Sequence, residues 1–344
     1  MRSSRRLKLL LLGLALPAGL LAAGVVAAAG PAASLAGSVA ALGQSGRAGA
    51  RHGSAPTATV LRRRHPPRRV VRGEPHVMLI VMENHGYEEI IGNPTAPYMN
   101  HLARRYGLAT SSYATTHPSL PNYLELVSGS TQGVSSDCTT CVANATQFVD
   151  QLDRAHIGWR AYMEAAPTAC FTGYAPLFDR HHDPFVYAPH VVADRAECDR
   201  VVPFSAFFPA LAHGRLPAFV WVTPDVHHDM HTGTVAQGDA WLRAVLTNVL
   251  ASTWYRDDGA VIVTFDESTG GTDAGCCTGA GGGHIATFVV SARTAPGARM
   301  AAPVDGAGIL RTIEALYRVP FLGQAADPRS GTLLPLLRLP RARG

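Results

Sequence analysis

His76-Val77-Met78-Leu79-Ile80-Val81-Met82-Glu83-Asn84-His85-Gly86-Tyr87 is the stretch on which the fold turns. Val77 to Met82 is an unbroken apolar run, without the polar alternation of a strand that has one wet face. Such a run predicts a strand buried on both sides, as in a parallel sheet. It ends in Glu83-Asn84. In open α/β sheets ligands bind beyond the carboxyl ends of the strands, so a carboxylate and an amide sit where hard oxygen ligands are useful. The alternative is an ordinary strand-to-helix turn. Two later runs repeat the pattern: Leu216 to Val222 leads to Asp225 and Asp229, and Ala260 to Phe265 leads to Asp266-Glu267. Trp159 to Met163 reads as a short strand and Ile285 to Ser291 as a fourth buried one. Helical spacing marks a segment with Tyr98, Leu102 and Tyr106 on one face, then Gln147 to Gly158, Asp239 to Leu250 and Leu310 to Tyr317. Strands alternating with helices predict an α/β domain with a mainly parallel central sheet, helices on both faces, and the active site at the C-terminal strand ends.

The chain has 344 residues, enough for a large core. Arg2, Arg5, Arg6 and Lys8 precede an uncharged apolar run from Leu9 to Gly30. Residues 1–30 therefore read as a secretory signal. The run is also long enough to span a bilayer, so an uncleaved anchor, with membrane attachment through residues 9–30, is the alternative. Residues 31–75 are Ala, Gly, Ser, Pro and Arg without periodicity, a disordered linker holding Arg62-Arg63-Arg64 and Arg68-Arg69. Because this tail carries much of the basic surplus, the net charge of +5 says little about the folded part. No nucleic-acid partner is expected, and no obligate protein partner is evident. The catalytic domain is expected over 76–335, with a tail at 336–344, in a secreted or cell-envelope protein. All six cysteines follow the export segment. An even count in an oxidising compartment favours disulfides, and proximity suggests Cys138–Cys141, Cys170–Cys198 and Cys276–Cys277. No second CxxC completes a zinc-thiolate centre.

In Thr115-Thr116-His117-Pro118-Ser119-Leu120-Pro121-Asn122-Tyr123 a hydroxyl stands between two prolines where a loop becomes a helix. Proline suits a first helical turn, and free N–H groups at a helix start suit a phosphate. Ser119 is thus a candidate nucleophile, with a plain N-cap as the alternative and Thr116 as the reserve hydroxyl. Carboxylates repel one another, so three strands ending in acidic groups point to a shared cation. His182, His227, His228, His231 and His284 crowd the same ends and loops.

The segments around Glu83-Asn84, His117 to Tyr123, Asp229-Met230-His231 with Gly238-Asp239-Ala240-Trp241-Leu242, and Val263 to Glu267 resemble the phosphoesterase family of acid phosphatases and bacterial phospholipases C, within the alkaline phosphatase superfamily. The resemblance covers roughly residues 76–325. It implies a phosphoester hydrolase, expected to be an acid phosphatase working through a phosphoserine on Ser119, with phospholipase C or another phosphodiesterase as the alternative. It implies metal ligation by Glu83, Asn84, Ser119, Asp266 and Glu267, phosphate binding by Asn122, His117 and His284, and catalytic histidines at His182 and His231. Asp225, His228, Asp229 and His284 correspond to where two-metal members hold a second ion. The cofactor is a divalent ion (Ca²⁺, Mg²⁺, Mn²⁺ or Zn²⁺) and the partner a small phosphoester. Two departures stand out: Glu267 where the family commonly has a second aspartate, and Asp305-Gly306-Ala307-Gly308 where it often has His-Tyr-Ser. No sulfatase motif is present. The reading from another class is a secreted metal-binding protein without catalysis.

Overall fold

A computed structural model describes residues 74–256, 258–269, 274–279 and 281–337. The expected export segment, all but the end of the linker and the last residues of the tail lie outside the described residues. Among the described residues no helix is long and apolar enough to cross a membrane.

The described residues hold eight strands: β1 (His76–Met82), β2 (Gly107–Tyr113), β3 (Trp159–Met163), β4 (Val201–Pro203), β5 (Phe219–Thr223), β6 (Gly259–Phe265), β7 (His284–Ser291) and β8 (Arg299–Met300). They form one sheet in the order β4-β3-β5-β1-β6-β7-β2-β8. β1 lies at its heart, parallel to β5 on one side and β6 on the other, with Leu79 opposite Trp221 and Ile262. Among these described strands only β7 runs against its neighbours. The apolar run of β1 is divided between two cores as the period-two rule requires. Val77, Leu79 and Val81 pack with Tyr123, Phe148, Ile309 and Ile313 from the helices Ser119–Ser128, Phe148–Arg154 and Gly306–Tyr317. Met78, Ile80 and Met82 pack with Met99, Leu102, Phe207, Leu242 and Val245 from Pro97–Arg105, Phe207–Ala212 and Val235–Ala251. The expected class is therefore the observed one.

Sequence reading leaves out three strands. β4 and β8 are very short edge pieces. β2 is Gly-Leu-Ala-Thr-Ser-Ser-Tyr, with too few β-branched or large apolar residues to announce itself. It is held instead by pairing to β7 and by a buried hydroxyl ladder: Ser112 Oγ to Thr287 Oγ1 and Thr287 Oγ1 to Thr264 Oγ1, each 2.8 Å. This strand matters, because its C-terminal end delivers the Ser119 loop to the edge where β1, β5 and β6 end. The helix expected from Leu310 begins earlier, at Gly306, with Asp305 as its N-cap accepting from Gly308 N at 2.8 Å. All three cysteine pairs form as expected.

Candidate active site

Ser119 opens its helix one residue after a cis His117–Pro118 bond, and its side chain is buried. Its Oγ stands 3.1 Å from Glu83 Oε2 and 3.2 Å from Glu267 Oε1. Glu83 comes from the end of β1, Glu267 from the end of β6. The backbone N–H of Asn84 donates to Asp266 Oδ1 at 3.2 Å, and its amide nitrogen donates to Glu267 Oε1 at 3.2 Å. Asn84 adopts the left-handed backbone region with φ 42°, a conformation asparagine accepts more readily than most residues. Glu83, Asn84, Ser119, Asp266 and Glu267 are thus brought together.

Their electrostatics are those of acids gathered out of water. Burial and then the charges of Asp266 and Asp229 push Glu83 well above the usual carboxylate range. Burial and Glu267 push Asp266 up to about 8. Burial also raises Glu267, although His117 Nδ1 contacts its Oε2 and opposes the shift. Two oxygens of the group, Asn84 Oδ1 and Asp266 Oδ2, are buried without a hydrogen-bond partner among the described residues. Converging carboxylates with unused oxygens fit a hard divalent cation, which would satisfy these atoms and remove the repulsion.

A histidine wall adjoins this group. His182 is buried, with Nδ1 3.2 Å from Asp229 Oδ2, Nε2 3.4 Å from Glu83 Oε1, and its ring stacked on Tyr123. Burial works against its charge, but the hydrogen bond and charge of Asp229 outweigh that and raise its pKa. Both nitrogens face carboxylates, so His182 braces the site and is poorly placed to reach a leaving group. His231 is exposed, its ring centroid 5.4 Å from that of His182, and its backbone N–H is held by Asp229 Oδ1 at 2.7 Å. Ligand atoms of Glu83, His182 and His231 lie within 4.8 Å of one another, a mixed set that shares Glu83 with the oxygen group.

The expected phosphate-binding residues fare differently. Asn122 accepts from Thr115 N and Thr116 N at 3.2 and 3.0 Å, and donates to Thr116 O and Pro118 O at 2.8 and 3.2 Å. Both amide hydrogens are used inside the loop, so Asn122 shapes the Ser119 turn and has no donor left for phosphate. Asn122→Ala is therefore expected to lower stability by roughly 2–4 kcal/mol, read as a fall in Tm, with activity lost in parallel. A side chain that only touched phosphate would leave Tm unchanged and raise KM. His284 lies outside the cluster: its nitrogens meet Glu88 Oε1 at 3.1 Å and Thr110 O at 3.0 Å, and its ring stacks on Tyr87 and Tyr113. His117 keeps one nitrogen, Nε2, buried and without a partner among the described residues. The helix start is itself partly occupied, because Leu120 N donates to Asp137 Oδ1 at 2.9 Å.

The second-metal set does not assemble either. Asp229 turns to His182 and His231, and His284 is elsewhere. Asp225 and His228 gather with Glu164 from the end of β3, all ligand atoms within 4.8 Å. That trio is tied by its own hydrogen bonds, with Trp241 Nε1 donating to Glu164 Oε1 at 3.2 Å.

Four residues escaped sequence reading. Tyr123 OH donates to Glu83 Oε1 at 2.5 Å, and Asp137 caps the helix of Ser119. Glu164 could have been found, since it follows a predicted strand at the same sheet edge. Glu125 is buried behind the loop and accepts from Thr115 Oγ1. A Cβ at Gly306 would come within 2.5 Å of Glu125 Oε2, so the unusual Asp305-Gly306 makes room for this acid. Asp305 also holds Thr278, beside the Cys276–Cys277 bridge, at 3.0 and 2.6 Å.

Comparison with known proteins adds the lineage. A phosphatidylinositol-3-phosphatase of Mycobacterium tuberculosis is 32% identical over 260 residues, covering 73% of this chain and 80% of its own length. An acid phosphatase of Aspergillus fumigatus is 31% identical over 195 residues, covering 54% of this chain; the chain spans only 43% of that relative. A phosphonate monoester hydrolase of Silicibacter pomeroyi shares the fold, with TM-score 0.51, 12% identity and coverage of 77% and 76%. An alkaline phosphatase superfamily protein of Vibrio parahaemolyticus does so at TM-score 0.51 and 15% identity, covering 76% and 70%. The phosphoesterase family profile matches residues 93–320, which include Ser119, Asp266 and Glu267, and the chain belongs to the phosphoesterase family.

Proposed function

We propose that the chain is an exported, metal-dependent phosphoric ester hydrolase that cleaves small phosphomonoesters through a phosphoserine on Ser119. The observation that carries this reading is the Ser119 hydroxyl held between Glu83 and Glu267 at the junction of three strand ends. The phosphatase names of the mycobacterial and fungal relatives support the monoester class. The three disulfides support export.

A divalent cation held by Glu83, Asn84, Asp266, Glu267 and the Ser119 oxygen would supply charge neutralisation and Lewis acidity. The protein's own groups do the rest. Glu83 Oε2 and Glu267 Oε1 orient Ser119, and Glu267 takes its proton and returns it to Ser119 Oγ when the phosphoserine is cleaved. Ser119 Oγ forms its bond to phosphorus as the bond to the leaving oxygen breaks. His231, the exposed histidine, gives that oxygen its proton and then takes one from the water that cleaves the phosphoserine. His182 and Asp229 hold His231 and Glu83 in place. With Asn122 committed to the loop, the exposed His231 is the side-chain donor that the described residues of this cluster offer the phosphoryl oxygens, which throws most of the anion's stabilisation onto the cation.

Leaving-group dependence tests this assignment. His231→Ala is expected to slow glycerol phosphate hydrolysis by about 100-fold while slowing p-nitrophenyl phosphate far less, since nitrophenolate needs no proton to depart. Equal losses on both substrates would remove the acid role from His231. Faster turnover of bis-p-nitrophenyl phosphate than of the monoester would move the enzyme to the diesterases.

A further inference from the structure

Glu164 follows β3 at the same sheet edge as Ser119, and the proposed chemistry does not use it. Its backbone N–H donates to Thr223 O at 2.9 Å, which ties it to the end of β5. The side chain reaches from there into the loop that leaves β5. Oε2 accepts from Asp225 N at 3.0 Å and meets His228 Nδ1 at 3.0 Å, while Oε1 accepts from Trp241 Nε1 at 3.2 Å. One carboxylate thus joins the end of β3, the turn after β5 and the helix Val235–Ala251. A peptide N–H and an indole N–H donate and cannot accept, so a carboxylate suits this set and an amide does not.

The same turn carries His231. Asp225 Oδ1 accepts from His227 N and His228 N, both at 3.0 Å, and Asp225 O accepts from Asp229 N at 2.7 Å. Asp229 in turn holds His231 N through Oδ1 and His182 through Oδ2. Between Asp229 and His231 stands Met230, buried and with φ 86°. A side-chain-bearing residue at such a φ is strained, and it persists only where its surroundings over-determine the turn. Gly238 gives one such support by leaving room, since a Cβ there would come within 2.4 Å of Met230 Cγ. Glu164 gives another, by fixing the start of the turn to β3 and to Trp241. We propose that Glu164 is a positioning residue for the reaction, holding the 225–231 turn so that the exposed ring of His231 is set at the leaving oxygen. An exposed ring takes its place from the backbone that carries it, and a displacement of about 1 Å puts an acid out of reach. Glu83 and Ser119 are fixed by β1 and by their own helix, so loss of the brace falls on His231. The inference rests on His231 as the acid in the reading above.

A double-variant cycle tests it. Glu164→Gln, His231→Ala and the two combined are compared on glycerol phosphate and on p-nitrophenyl phosphate, each with a thermal melt. Glu164→Gln is expected to slow glycerol phosphate hydrolysis by about tenfold and p-nitrophenyl phosphate by less than about twofold, and to add no further loss on top of His231→Ala. Trp241→Phe removes only the donor to Oε1 and is expected to show the same selectivity at smaller size. It takes over the test if Glu164→Gln melts below the assay temperature. No loss in Glu164→Gln, equal losses on the two substrates, or a full additional loss in the combined variant would each overturn the proposal. A selective loss that excess Mn²⁺ restores would overturn it too, by making Glu164, Asp225 and His228 an ion site in place of a brace. Equal losses on both substrates in His231→Ala alone would instead remove the acid reading on which the inference rests, a failure seen in a different variant.

Discussion

Ser119→Ala is expected to lower p-nitrophenyl phosphate turnover by about a thousandfold or more while the protein stays folded. The side chain's partners are the acids of the cluster, Glu83, Glu267 and Asp266, and alanine fits its place at the first turn of the helix. Loss of the hydroxyl removes the atom that bonds to phosphorus, and no neighbour stands in the same place. Thr116, the reserve hydroxyl in the sequence, instead donates its Oγ1 hydrogen to His117 O at 3.2 Å. Turnover in Ser119→Ala is to be measured alongside a thermal melt. Activity near the native level would identify a different nucleophile, or water attacking directly.

Asp266→Asn is expected to act in opposite directions on stability and activity. Asp266 is pushed up to about 8 from an ordinary 3.8 by burial and by Glu267. A group raised in the folded state contributes its stability fully below its unfolded pKa and loses it as the pH rises through the folded value. With chelator present, the native protein should therefore melt at a lower temperature at pH 8 than at pH 5. Asp266→Asn should show a smaller fall, and at pH 8 in chelator it should melt higher than the native protein. With divalent cation in excess the order reverses, because the asparagine lacks the charge that binds the ion. Turnover should fall by about 100-fold or more in the variant, and equally in the native enzyme on chelation. Melts that ignore both chelator and the substitution would show that no cation neutralises this group.

The difference between what was legible in the sequence and what was not follows the kinds of force involved. β1, β5 and β6 are buried on both faces, so their apolar runs alone announce a parallel sheet, and the acids at their ends mark its working edge. β2 escaped because hydroxyl pairing and a neighbour distant in sequence hold it, neither of which leaves a local period. Ser119, Glu83, Asn84, Asp266 and Glu267 converge as their strand-end positions suggest. The fates of Asn122 and His284 were not legible, because residue type gives the donors a side chain owns and not the acceptors that claim them. Asn122 is consumed by carbonyls within its own turn, and His284 by Glu88 and the backbone of β2. Tyr123, one residue past Asn122, looks like a core aromatic, and only the fold turns its hydroxyl onto Glu83. The Asp305-Gly306 departure becomes intelligible only with Glu125 in view, since the two are far apart in sequence and meet behind the Ser119 loop.

Acid quenching of the enzyme during turnover, followed by mass mapping of its peptides, addresses the central claim most directly. Phosphoserine survives acid, so the covalent intermediate can be trapped and located. The account predicts the added mass of one phosphoryl group on the peptide containing Ser119, dependent on substrate and absent after chelation or in Ser119→Ala. A phosphoryl group found on His231 or Thr116, or an enzyme in full turnover with no covalent adduct, would contradict it.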